Sequence, residues 1–410
     1  LIKINVLVLY ARKFSSILYV MYLKKTSHER SGTVLATPVH PKCKIMKTLL
    51  LRVLAIVIPA FLLTSCKKKD EETTPPAPVE LSTRIVAENF NQPWEILWGP
   101  DNFIWMTERS GKISRVNPET GAVSPVFTIA EVDARGEGGL LGMVLHPQFP
   151  SVPQVFVAYN YSNGGSYREK VVQFTYSGGT FSSPNTIIEN IAAANIHNGC
   201  RLVIVNDKLF ITTGDAANTS LSQNNSSPNG KVLRINLNGS IPADNPIAGN
   251  PLWSSGHRNA QGLIHANNIL YSSEHGPDTD DEINIIEKGR NYGWPNVRGF
   301  CEGGEQSFCT TNNVKEPIKA WTPTIAVSGM DYYNSDYIPQ WKNSLLVATL
   351  KNSRLMQLKL NSSYNSVSET NEFFTSSYGR MRDVCISPQG KVYICTGNGS
   401  NDKIVVVEKK

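Results

Sequence analysis

The sequence has 410 residues, 40% hydrophobic and 18% charged, which fits a packed globular body and excludes a largely disordered chain. The formal net charge is +6, but residues 1–65 hold ten of the 40 Lys and Arg and only one of the 34 acids. The rest of the chain is about −3 by the same count, so no nucleic-acid partner is implied.

In chain order, residues 1–45 are basic and patternless, and are expected to be an upstream extension outside the protein proper. Residues 46–65 read as an export signal. Met46 is followed by Lys47 and Arg52, then by an apolar stretch from Val53 to Leu63 that is short for a membrane span. Leu63-Thr64-Ser65-Cys66 resembles a bacterial lipobox, in which Cys66 takes the lipid; a transmembrane anchor with an incidental cysteine is the alternative. Residues 66–81, charged and then proline-rich, are expected to be an extended tether to a domain at 82–410. These segments imply an exported, membrane-anchored lipoprotein of a Gram-negative envelope, on its periplasmic face or the cell surface. Membrane contact is then through the lipid alone.

The body repeats one pattern: strand, polar turn, strand, then a further strand. Copies run over Leu97–Val116, Leu145–Phe174, Leu202–Leu237, Leu263–Ile286, Ser344–Leu360 and Val384–Val407. Their turns carry Gly99-Pro100-Asp101-Asn102, Asn206-Asp207, Asn267-Asn268 and Ser387-Pro388-Gln389-Gly390. Short strands with turn signals at this spacing indicate an all-β chain. A repeat of about 40–60 residues indicates propeller blades. Six units predict a six-bladed β-propeller around a central channel, with a pair of β-sandwiches as the structural rival.

Seven cysteines are present. Cys301 and Cys309 flank a loop with Gly303-Gly304 and are expected to form a disulfide. Cys385 and Cys395 are expected on neighbouring strands, without a pairing fixed by spacing. No cysteine sits in a zinc-binding pattern.

Four polar clusters fall between strands: Gly136-Glu137-Gly138-Gly139, Asn195-Ile196-His197-Asn198-Gly199 with Asp215, Gly256-His257-Arg258-Asn259-Ala260-Gln261-Gly262, and Glu274-His275-Gly276-Pro277 with Asp281-Glu282. Singly, each reads as ordinary loop chemistry: a hydrogen-bonding His, a turn-fixing Arg-Asn pair, a solvated acidic run. Together with Asn291-Tyr292-Gly293-Trp294-Pro295, Thr349-Leu350-Lys351 and Gly379-Arg380-Met381-Arg382-Asp383-Val384, they resemble the soluble quinoprotein glucose, aldose and sorbosone dehydrogenases. The resemblance runs from about Pro93 to about Lys409.

The resemblance implies oxidation of an aldose sugar at its anomeric carbon, giving a lactone, with pyrroloquinoline quinone and calcium as cofactors. His197 matches the general base, Asp215 the carboxylate that orients it, and Glu137 a group near the sugar. Arg258 and Asn259 match groups beside the quinone carbonyl. Lys351, Arg380 and Arg382 match charge partners of the cofactor carboxylates, Thr324 a cofactor-side hydroxyl, and Trp321 a ring neighbour with its register slipped by one. Two arginines two apart share one face of a strand, which suits a pair of carboxylates. The Gly276 and Pro277 carbonyls match calcium ligands, and Asp281, Glu282 and the Tyr292 carbonyl resemble part of a second calcium site. Ile196 stands where the glucose-oxidising branch has Asp, which favours the broader aldose branch. The residues do not specify the electron acceptor. Two rival functions are a calcium-dependent sugar lactonase and a glycan-binding propeller without catalysis. The lactonase has no need of Lys351, Arg380 and Arg382, and the glycan binder would tolerate loss of His197, which is present.

Overall fold

A computed structural model describes residues 77–351 and 353–410. The expected extension, export signal and lipid site at Cys66 lie outside the described residues. Among the described residues no helix is long and apolar enough to cross a membrane.

Among the described residues, twenty-four strands form six four-stranded antiparallel sheets, the blades of a β-propeller. The innermost strands are Pro93–Trp98, Leu140–Leu145, Gly199–Val205, Ala260–Ala266, Val327–Tyr333 and Met381–Ile386, and each contacts its neighbours around the axis. The strands next to them are buried on both faces, as in Ile104–Glu108, Ser344–Thr349 and Val392–Thr396. Such strands read as apolar runs rather than alternating patterns, because a blade is covered on both sides by its neighbours. Outer strands such as Val123–Thr128 alternate more, since they meet water. Six apolar clusters hold the ring together; one packs Trp105 and Ile113 of the first blade on Met143 and Val157 of the second. The Asn206-Asp207 and Asn267-Asn268 turns take positive φ at both positions, the hairpin geometry that Asn and Asp tolerate.

The ring closes with a strand outside the six repeats. Leu81–Phe90 pairs with Asp402–Lys409, Leu81 opposite Lys409, so the first strand completes the last blade. The expected tether therefore stops short of 81. The Val79 amide donates to Gln340 Oε1 (3.1 Å), and its carbonyl accepts from Gln340 Nε2 (2.8 Å).

Every innermost strand is irregular near its start. Register shifts fall between Pro93 and Ile96, Leu140 and Met143, Gly199 and Leu202, Ala260 and Gly262, Val327 and Met330, and Met381 and Asp383. A bulge re-aims side chains. Repeated six times at one level, it turns residues of the strand starts into the channel. One level of the channel is tied by ions: Arg201 Nη1 meets Glu95 Oε1 (2.7 Å) and Asp383 Oδ2 (2.8 Å), and Arg201 lies over the Trp94 ring. Burial pushes the Glu95 carboxyl well above its usual range. Gly329 makes room for this cluster, since a Cβ there would sit 1.6 Å from Asp383 Oδ1.

Cys301 and Cys309 are joined by a disulfide. Cys385 and Cys395 lie on adjacent strands but out of register, opposite Tyr393 and Asp383 respectively, and both are free and buried.

Candidate active site

The bulged strand starts border a cavity of about 450 Å³, lined among others by Trp94, Leu141, Gln261 and Arg382 from the bulges themselves. The loop residues Glu137, Asn198 and Gly199 line it as well.

His197 sits where the chain turns sharply into its strand, with φ of +61°, followed by Gly199 at +67° and Cys200 at +75°. Its carbonyl accepts from Ala216, and a Cβ on Gly214 would lie 1.9 Å from that oxygen, so only glycine fits there. His197 Nδ1 bonds Asp215 Oδ1 at 2.8 Å. Asp215 is fully buried and fixed: Trp294 Nε1 donates to Oδ2 (2.9 Å) and the Ala217 amide to Oδ1 (2.9 Å). With Nδ1 directed at a carboxylate, Nε2 is left as the basic nitrogen. The His197 side chain stays 13% exposed, enough to meet a ligand. The Glu137 carboxylate accepts from the His197 amide (3.0 Å).

Arg380 and Arg382 reach the cavity with no acidic partner among the described residues. Arg382 donates to Gln261 Oε1 (3.1 Å) and Ser328 Oγ (3.3 Å), both neutral. Burial, then Arg201 and Arg380, pull its guanidinium down to about 10, and no carboxylate among the described residues pairs with it. Arg380 lines the same cavity. The shared-face reading needs correction: the strand begins after Arg380, and a register shift falls between Met381 and Asp383. The bulge, rather than plain alternation, accompanies the placement of both residues at the cavity. Lys351 Nζ reaches Thr324 Oγ1 at 3.4 Å. Asn259 is buried, its Oδ1 accepting from the Gly199 amide and Gln261 Nε2. Arg258 lies over the Trp294 ring and donates to the His275 carbonyl (3.1 Å), while its buried Nε has no partner. Trp321 is on the outermost strand of its blade, packed against the apolar cluster between blades, and neither it nor His197, Asp215, Arg258, Asn259, Thr324 or Lys351 is among the residues lining the cavity.

A smaller pocket beside the cavity is bordered by Arg258, Gly276, Pro277, Glu282 and Tyr292. Asp281 is already engaged by the backbone. Its Oδ1 accepts from Gly276 (2.9 Å) and its Oδ2 from Ile325 (2.7 Å) and Ala326 (2.5 Å), tying two loops together. Glu282 stands directly opposite Glu274 across the ladder. Burial, then Glu274, pushes the Glu282 carboxyl up to about 8. Glu274 Oε2 meets buried His257 Nδ1 (2.8 Å), and its other oxygen accepts from the Arg258 amide.

A family model described as glucose/sorbosone dehydrogenase matches residues 90–406. The chain belongs to this family. The quinoprotein glucose dehydrogenase B of Acinetobacter calcoaceticus is 33% identical, with 78% of this chain and 86% of that protein covered. An aldose sugar dehydrogenase of Escherichia coli is 30% identical over 80% of this chain and 94% of that one. Among solved structures, the pyrroloquinoline-quinone-bound aldose sugar dehydrogenase of Streptomyces coelicolor superposes with a TM-score of 0.71 at 31% identity, covering 82% of this chain and all of that one.

Within this glucose/sorbosone dehydrogenase chain, several cavity residues escape motif reading. Arg109, Trp94 and Asn398 line the cavity but stand outside the four polar clusters. Gln261 and His275 lie inside quoted motifs and line it too. Burial, then Arg382 and Arg258, pull the His275 imidazole down to about 3, so it is neutral at ordinary pH. No spacing rule would single these residues out, since their position depends on the bulges and on neighbouring blades.

Proposed function

We propose that this chain oxidises the anomeric carbon of aldoses to the lactone, with pyrroloquinoline quinone held in the central cavity and calcium beside it. The observation that carries the reading is that Arg380 and Arg382 line the central cavity with no carboxylate partner among the described residues, while Glu137, Asn198 and Gly199, which flank or bond the oriented His197, line it too. Arg382 is half-buried and Arg380 exposed, and a polyanion entering the cavity would supply the acidic partner that both lack. Arg382, Arg380 and Lys351 with Thr324 would hold the cofactor carboxylates, and Arg258 and Asn259 its quinone edge. When bound, the quinone supplies a hydride acceptor and calcium a Lewis acid.

The remaining chemistry belongs to the chain. His197 Nε2 takes the proton from the anomeric hydroxyl as the carbon gives up hydride. Asp215 keeps the ring in one orientation and stabilises the imidazolium that forms. The Arg258 guanidinium offers donors for oxygen that gains negative charge. For calcium, the support is the loop carrying the Gly276 and Pro277 carbonyls, which Asp281 holds in place. For a second ion the support is Glu282 standing opposite Glu274 near Tyr292, two carboxyl groups that a bound cation would favour in the charged form together.

Reconstitution tests the reading. Apoprotein given the quinone and calcium should bleach the oxidised cofactor absorbance on adding an aldose, and a calcium chelator should suppress the change. If the wild-type protein binds no quinone with calcium present, the reading fails; a lactonase or a glycan binder would show that result. The location is part of the proposal: Cys66 carries the lipid of an exported lipoprotein. Cys66→Ala should move the protein from the membrane fraction to the soluble one, and retention at the wild-type level would place the anchor elsewhere.

A further inference from the structure

We infer that Arg109 is a positioning residue for the base, acting through the Gly136–Gly138 loop and the Glu137 carboxylate on the backbone of His197. The inference rests on the proposed role of His197. Arg109 follows the second strand of the first blade, Ile104–Glu108, and borders the cavity. Its guanidinium looks at first like one more cofactor cation. Its hydrogen bonds point elsewhere: Nε and Nη2 both donate to the Gly138 carbonyl (3.2 and 2.8 Å), Nη2 also to the Gly136 carbonyl, and Nη1 to Gln92 Oε1 (2.9 Å). One planar fork therefore clasps the two carbonyls on either side of Glu137. Lysine has no such fork.

The clasped loop is joined to the base segment. The Glu137 amide donates to the Asn195 carbonyl (2.7 Å), and the Glu137 carboxylate accepts from the His197 amide (3.0 Å). The approach is so close that a Cβ on Gly136, at φ of +53°, would lie 2.0 Å from the Asn195 oxygen. The bond to the His197 amide matters because His197 is a β-carbon-bearing residue at positive φ, a conformation that must be held by its surroundings. Asp215 fixes the ring at Nδ1; Glu137 fixes the backbone the ring hangs from. The two contacts together set where Nε2 points. Arg109 and the glycines hold Glu137 in reach, so a residue of the first blade orders the base carried at the entry to the third.

The test is hydrogen exchange at the His197 amide in the reconstituted enzyme, read beside kinetics and quinone binding. In Arg109→Gln the amide should exchange about tenfold faster or more, as expected when a local contact opens more often. Turnover at saturating quinone should fall about 10- to 100-fold, the scale of a misplaced catalytic group. Quinone affinity should stay close to wild type. Arg109→Lys should recover little. Glu137→Gln keeps an acceptor oxygen and should keep slow exchange, whereas Glu137→Leu should exchange fast. Should His197→Ala prove as active as wild type, the proposed base is wrong, and the exchange data still decide the brace. Wild-type exchange in Arg109→Gln overturns the inference. So does weakened quinone binding with full turnover at saturation, which would make Arg109 a cofactor cation.

Discussion

His197→Ala should lower turnover roughly 10²- to 10⁴-fold, the range for a positioned acid–base group. The basis is geometric. Asp215 cannot turn away, because Trp294 Nε1 and the Ala217 amide hold its two oxygens. Its bond to Nδ1 therefore selects the tautomer whose Nε2 carries the lone pair. Removing the ring deletes the proton acceptor and leaves Arg382 and Lys351 in place, since none of their contacts runs through His197. Quinone binding to the variant should accordingly match wild type. Steady-state rates at saturating cofactor, with a quinone titration alongside, check both halves. Unchanged turnover would take His197 out of the chemistry.

Much of the fold was open to reading from pattern alone, for a physical reason. In a propeller each blade repeats the same solution to the same burial problem, so turns such as Asn206-Asp207 recur with the apolar runs they connect. The closing strand Leu81–Phe90 was harder, because its partner Asp402–Lys409 lies at the other end of the chain and no local signal links the two. The site shows the same division. The His197–Asp215 contact joins groups within two neighbouring motifs of one blade. Arg109 reaches the Gly136–Gly138 loop across a blade boundary, and nothing in its own surroundings announces that. Alternation along a strand also misleads where the strand is bulged, as between Met381 and Asp383. Asp281 shows a further gap: an acidic run next to Gly276-Pro277 reads as metal ligands, yet one of its carboxylates is occupied by backbone amides from a loop more than forty residues on.

Arg382→Ala should weaken quinone binding far more than it alters sugar dependence at saturating quinone. Losing one member of a desolvated charge pair costs about 2–5 kcal/mol, much of it for leaving the other charge alone. At about 1.4 kcal/mol per tenfold, that is roughly 30- to several-thousand-fold in affinity. Arg382→Lys should restore only part of it, because an ammonium cannot copy the two-pronged grip. The apoprotein supplies a contrasting readout. There Arg382 is a partly covered cation held by Gln261 and Ser328 alone and crowded by Arg201 and Arg380. Its removal relieves that repulsion, so the apo variant should melt no lower than wild-type apoprotein, while the stabilisation given by added quinone shrinks. A residue kept for packing would show the reverse, with the loss already present before any cofactor is added. Thermal melts of both proteins, with and without quinone, separate the two cases. An apo variant that melts well below wild type yet binds quinone with wild-type affinity would remove Arg382 from the cofactor site and with it the strongest support for an anion in this cavity.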